Sequence, residues 1–257
     1  MHIYSFTKVN LLSKDMPQIT RFFASWRGWA IIVVIVLHVV GGICMLLGDP
    51  ISLVLLTPAH LCITTFMLLS VHAEVSRKFF KTGFLVFMFG MFIEINGVHT
   101  GYIFGSYYYT SLLGPRILGV PIVIGTNWLL LSYCFASFID RGLHDSKHYL
   151  KVALGAICMV LLDVLIEPFA VYYGLWVWEG RVLPSLANYV AWFFGGCVVI
   201  NIWLRFWKDG RGQFSHDHKG GASSKYVVSK NNDIINITIC CLLVFFVLSY
   251  VGVALYG

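Results

Sequence analysis

Residues 92–109 read "FIEINGVHTGYIFGSYYY". The stretch opens inside an apolar run and closes on three consecutive tyrosines, with Glu94 where hydrocarbon is expected. A second stretch of the same kind, "LLDVLIEPFAVYYGLWVWE" at 161–179, places Asp163 and Glu167 inside another apolar run. Only 12% of the 257 residues are charged, about half the share usual in soluble domains. Hydrophobic residues make up 58%, and the mean hydropathy is +0.80. A soluble core of this size cannot hide so much apolar surface, so the chain reads as an integral membrane protein.

Apolar windows long enough to cross roughly 30 Å of hydrocarbon fall at 29–48, 51–72, 83–99, 120–139, 150–167, 186–204 and 234–256. Backbone groups find no water in the bilayer core, so each window is predicted to be a helix. No ten-residue alternating pattern of barrel strands competes. The fold class expected is all-α, a polytopic bundle of seven transmembrane helices forming one domain over 29–257. A polar, basic segment, 1–28, precedes it without the features of a cleavable signal.

The Lys and Arg residues set the orientation. Sixteen of the 18 fall in the N-terminal segment and the second, fourth and sixth loops, leaving Arg116 and Arg181 on the other side. Under the positive-inside rule this predicts seven helices, with the N-terminus cytoplasmic, the C-terminus outside and the cell membrane as location. It also explains the sequence pI of 8.9 and net charge of +6 without nucleic acid as a partner. The seven cysteines lie in apolar segments with no CxxC pattern, so they read as core or lipid-facing residues. No metal site is expected. "HDH" at 216–218 and the pair His144/His148 sit in charged loops without an acid-rich ligand set and read as solvated surface.

At 1.5 Å per residue, Glu94 lies roughly 18 Å above the cytoplasmic start of its span, Asp163 about 20 Å and Glu167 about 26 Å. Asp163 and Glu167, four apart, project from one helix face. Each ionisable group deep in a span costs about 2.5–3.5 kcal/mol on insertion scales, and such groups normally face a cavity inside the protein. Gly90, Glu94, Gly97 and Gly101 share one helical stripe, where small residues let a helix or a ligand approach closely. Ordinary small-residue packing around a hydrogen-bonded Glu94 is the plainer alternative. A helix end at Pro168 is the corresponding alternative for Glu167. Tyr107, Tyr109, Trp128, Trp176 and Trp178 lie toward the same outer side. They fit either an interfacial aromatic belt or a mouth whose rings hold a polyene and stabilise a cation.

Taken together, "EINGVHTGYIFGSYYYTSLLGPRILGVPIVIGTNW" at 94–128 and the 161–179 stretch resemble the integral-membrane carotenoid 1,2-hydratases. The family pattern is an acid with a Gly/His-rich turn, "G-x-x-F-G-x-Y-x-Y", "G-x-P", then "D-x-x-x-E-P" leading to "W-x-W". Here these are Glu94, Gly97, His99, Gly101, Phe104, Gly105, Tyr107, Tyr109, Gly119, Pro121, Asp163, Glu167, Pro168, Trp176 and Trp178. The match covers roughly 83–205. It implies carotenoid biosynthesis, in which water adds to the terminal 1,2 double bond of an acyclic (ψ) carotenoid end group, as in lycopene or gamma-carotene. The product is a tertiary alcohol. The expected partners are that carotenoid, membrane lipid and other enzymes of the pathway.

Hydration of such an alkene needs a proton donor, a shielded cation and a positioned water. It demands no cofactor. A carboxylic acid in an apolar site keeps its proton at neutral pH, and paired acids with separated affinities divide into donor and base. Asp163 or Glu94 is the expected donor; the other, or Glu167, orients the water and takes its proton. Gly97, Gly101, Tyr107, Tyr109, Trp128, Trp176 and Trp178 are expected to contact substrate. His99 serves as a proton relay or simply as a loop histidine in water.

Three rivals stand beside this reading. A retinal protein lacks its lysine in 234–256. A haem protein would use His38 and His60, each about nine residues into adjacent spans, although a hydrogen-bonded pair is simpler. A proton-coupled transporter or isoprenoid carrier would use the same acids as relays, but all three lie in one half of the bilayer.

Overall fold

The computed structural model describes the backbone of residues 25–47, 54–72, 75–217 and 232–256, and the side chains of all of these except 209–217, 232 and 256. Helix α1 (Trp26–Leu46) starts where Ser25 accepts a hydrogen bond from the Gly28 amide, the usual N-cap. Helix α2 (Thr57–Ser70) carries Pro58 in its first turn, where a missing N–H costs nothing. Helix α3 (Arg77–Thr100) is capped by Ser76, which accepts from the Phe79 amide. It ends on Gly101 at φ 66°, a left-handed position suited to glycine. Then follow α4 (Ile122–Gly142), α5 (His148–Tyr172), α6 (Leu186–Asp217) and α7 (Asn232–Tyr256).

Six of these helices are long and apolar enough to cross a membrane. The exception is α2, whose 14 described residues span only about 21 Å. The expected seven membrane-length spans therefore become six by length; residues 51–53 of the second window lie outside the described residues. The His216–His218 motif likewise falls outside the described side chains. Of the other histidine pair, His144 bonds Asp145 and His148 bonds Asn201, 2.8 Å away on α6.

Consecutive helices alternate in direction, so that α1 and α7 pack in parallel. Trp26 at the start of α1 donates to Ser70 at the end of α2. Arg27 pairs with Asp233 at the start of α7, and Arg141 at the end of α4 donates to Asn236. At this basic end Lys151 and Asp140 form a buried ion pair at 3.0 Å, and Lys151 also donates to the His144 carbonyl. His38, midway along α1, touches His60 in the first turn of α2, with ring nitrogens 3.4 Å apart. An iron between two imidazoles would need about 4 Å, twice a metal–nitrogen bond. The pair is a hydrogen-bonded contact packed on Phe245.

The fold is all-helical, as expected, and its opposite end is closed by two short ribbons. The tyrosine run forms strand β1 (Tyr107–Tyr109), and β2 (Arg116–Ile117) pairs with β3 (Val120–Pro121). Strand β4 (Trp176–Trp178) runs antiparallel to β1, setting Tyr107 opposite Trp178 and Tyr109 opposite Trp176. Side chains alternate across a strand, so these four rings share the inner face while Tyr108 and Val177 face outward. Thr110 N bonds Leu175 O, and Glu179 N bonds Ser106 O, extending the ribbon at both ends.

The glycine stripe on α3 is filled by protein. A Cβ at Gly90 would sit 2.6 Å from Trp128 of α4, and one at Gly97 would lie 2.4 Å from the buried Phe104 ring. Gly97→Ala must therefore displace Phe104, at an expected cost of about 1–3 kcal/mol. A lower thermal unfolding midpoint in detergent is the readout; an unchanged midpoint would mean the ring yields freely.

Candidate active site

The two stretches that opened the sequence reading meet beneath the ribbon. Glu94, Asp163 and Glu167 line one cavity with Phe104, Tyr107, Tyr109, Asn127, Trp176, Trp178, Asn188 and Trp192. Its volume is about 30 Å³, room for one or two water molecules. All three carboxylates are buried.

Glu94, nearly five turns into α3, is held by three donors. Tyr107 and Tyr109 donate their hydroxyls to Oε2 at 2.6 and 2.8 Å, and the Trp128 indole donates to Oε1 at 2.9 Å. Trp128 is fully buried, stacked on Trp192 with centroids 4.4 Å apart, so its ring is locked. Burial, followed by the charge of Glu94, pushes both ribbon tyrosines well above the ordinary phenol range. They remain donors.

Glu167 sits one helical turn beyond Asp163. Helix α5 does not stop at Pro168, as the sequence alternative had it, but runs on to Tyr172. The added turn buries Phe169 and Ala170 and carries the chain to β4. The ribbon then folds back so that the Trp176 and Trp178 indoles donate to Glu167 Oε2 at 3.2 and 3.0 Å. Indole N–H groups only donate, so this oxygen is an acceptor. Asp163 accepts one hydrogen bond, from Asn188 Nδ2 of α6 to Oδ2 at 2.9 Å. Among the described residues no donor reaches its other oxygen, nor Glu167 Oε1.

The structure thus gathers seven of the sequence candidates around one cavity: Glu94, Asp163, Glu167, Tyr107, Tyr109, Trp176 and Trp178. Trp128 stands behind Glu94 rather than in the cavity wall. Gly97 and Gly101 shape the end of α3. His99 points away, exposed, bonded to the Ile95 carbonyl of its own helix at 2.8 Å. Asn127, Asn188 and Trp192 had not been singled out. The signal was available, since a buried amide in a span is anomalous for the same reason as an acid.

Fold and site together define a membrane protein whose helix bundle encloses an acidic, aromatic-walled cavity near one end. The chain belongs to the carotenoid biosynthesis protein family, whose model matches residues 51–256. Over 113 residues it is 27% identical to bisanhydrobacterioruberin hydratase of Haloarcula japonica. That alignment takes in 42% of this chain and 39% of the relative, so the chain matches well under half the length of that curated protein. No solved structure matches the chain.

Proposed function

We propose that the protein is a carotenoid 1,2-hydratase, a hydro-lyase acting on the acyclic (ψ) end group of a carotenoid such as lycopene or gamma-carotene. The observation that carries this reading is the meeting of three carboxylates with unequal hydrogen-bond saturation in one cavity the size of a water or two. The named relative is itself a hydratase.

The roles follow from which oxygens are occupied. Glu94, whose two oxygens take three donors, is the most saturated of the three acids and acts through its charge, which faces the developing cation. Asp163 keeps one oxygen without a partner and gives its proton to C2 of the terminal double bond. The tertiary cation at C1 lies against the faces of the ribbon tyrosines and tryptophans, whose quadrupoles favour it. Water held near Glu167 Oε1 adds to C1 and loses a proton to the carboxylate pair, which restores the acid. Reactant, water and product balance, with no electron transfer. General acid–base help of this kind supplies about 10²–10⁴-fold in rate, and exclusion of water protects the cation from side reactions.

The proposed setting is the cell membrane, with all seven helices crossing as one domain over 29–257. The basic end and segment 1–28 face the cytoplasm, and the ribbon and C-terminus face outside. Alternating helix direction and the gathering of Arg27, Arg141 and Lys151 at one end support this. Other enzymes of the pathway remain proposed partners. The test is expression in a cell that accumulates lycopene, with mass analysis of extracted carotenoids. One or two added waters per molecule are expected; unchanged lycopene beside inserted protein would overturn the reading.

A further inference from the structure

Among the described residues, Asn127 is the asparagine whose side chain no protein group holds. The others are engaged. Asn96 donates to the Phe92 carbonyl of its own helix and Asn188 to Asp163, while Asn201 accepts from His148 and Asn236 from Arg141. A carboxamide carries two donors and one acceptor, and leaving them without partners inside a membrane span is costly. Asn96 shows the local remedy, a bond back to the carbonyl four residues earlier. Asn127 does not use it.

Its position says what it faces instead. Asn127 lies on α4 one residue before Trp128, which grips Glu94. With Ile124, one turn earlier, it supplies the α4 part of the wall around the acidic cavity, while α5 supplies Asp163, Ile166 and Glu167. The cavity holds one or two waters, and Asn127 is its uncharged polar lining group with both amide ends uncommitted.

We infer that Asn127 holds the water that attacks C1, its carbonyl accepting one O–H while the other O–H points to Glu167. This rests on the hydratase reading and adds the residue that positions the nucleophile. The chemistry calls for a group of this type. A tertiary cation at C1 is either captured by water or loses a carbon-bound proton and returns to an alkene. A carboxylate pressed against it, being the stronger base, favours the second exit. An amide carbonyl takes a hydrogen bond from water but scarcely binds a proton, so it aims the oxygen lone pair without stripping C–H. On capture the water oxygen forms the C1–O bond and its proton passes to the carboxylate pair. The C–H bond made at C2 with the proton of Asp163 is kept, and no electrons are exchanged.

The experiment separates protonation from capture. Membranes carrying wild type, Asn127→Leu or Asp163→Asn are supplied with lycopene in D2O buffer, and the extracted carotenoids are analysed by mass. Asn127→Leu is expected to lower the hydrated product about 10²-fold, the scale on which a misplaced reactant is felt. Its recovered lycopene should gain deuterium, from cations that form at C1 and collapse without water. Asp163→Asn should give neither product nor label. Hydration within a few-fold of wild type in Asn127→Leu would overturn the assignment. Loss of both product and label at an unchanged thermal midpoint would also overturn it, by moving Asn127 into the protonation step. Asn127→Ser, whose hydroxyl holds a water in the same place, decides the matter if leucine disturbs folding. Hydration within about tenfold of wild type is expected, and a serine protein without product would overturn the assignment. Lycopene left unhydrated by wild type would overturn the hydratase reading and this one with it, whereas a failure confined to the variants touches Asn127 alone.

Discussion

Asp163→Asn is expected to abolish the hydroxylated product, lowering turnover by about 10²–10⁴-fold, while the protein inserts and folds as before. The asymmetry comes from how Asp163 is held. Its single bond is received from the Asn188 amide, and an asparagine carbonyl at 163 accepts from the same donor. Packing is preserved because the side chains are nearly equal in volume, but the amide has no transferable proton. In lycopene-producing cells with matched protein levels, the extract should retain unmodified polyene. Turnover within a few-fold of wild type would remove Asp163 from the donor role. Asp163→Glu in parallel tests geometry, since it keeps the acid but lengthens its reach by one methylene.

Glu94→Leu is expected to damage structure as much as activity. Three buried donors, the hydroxyls of Tyr107 and Tyr109 and the Trp128 indole, converge on this one carboxylate. Each buried group left without a partner costs about 1–3 kcal/mol, and three at once rival the net stability of a whole domain. The ribbon should lose its hold on α3, seen as a large drop in thermal midpoint and rapid proteolysis of 101–121. Glu94→Gln separates the two roles. Its carbonyl accepts from some of the donors, so much of the stability should return while charge facing the cation is lost. A Glu94→Leu protein as stable as wild type would mean that the three bonds contribute little.

Much of this architecture was legible because the membrane imposes it. Hydropathy windows land within three residues of both ends of α1, α4 and α7 and of one end of α3 and α5, since only continuous helices satisfy the backbone in hydrocarbon. Boundaries erred where side chains outside the bilayer decide them. Helix α3 starts at Arg77 rather than 83 because Ser76 caps it, and α6 runs on to Asp217. The acids stood out because charge in a span is rare. Their partners were harder to see. "YYY" shows no alternation in sequence and "WVW" only two steps of one, too short to read as strands, and their pairing spans about seventy positions of sequence. That long-range contact turned a supposed aromatic belt into the cover of the cavity. His99 misled for the opposite reason: it is adjacent to the site in sequence, yet a helical turn aims it elsewhere.

The triple grip on Glu94 also bears on how the chain enters the bilayer. During synthesis α3 emerges before any of its carboxylate's partners: Tyr107 follows 13 residues later, Tyr109 after 15 and Trp128 after 34. Until then the third helix carries an acid that lipid disfavours. Release from the translocation machinery is therefore expected to wait for α4, the two helices partitioning as one hairpin.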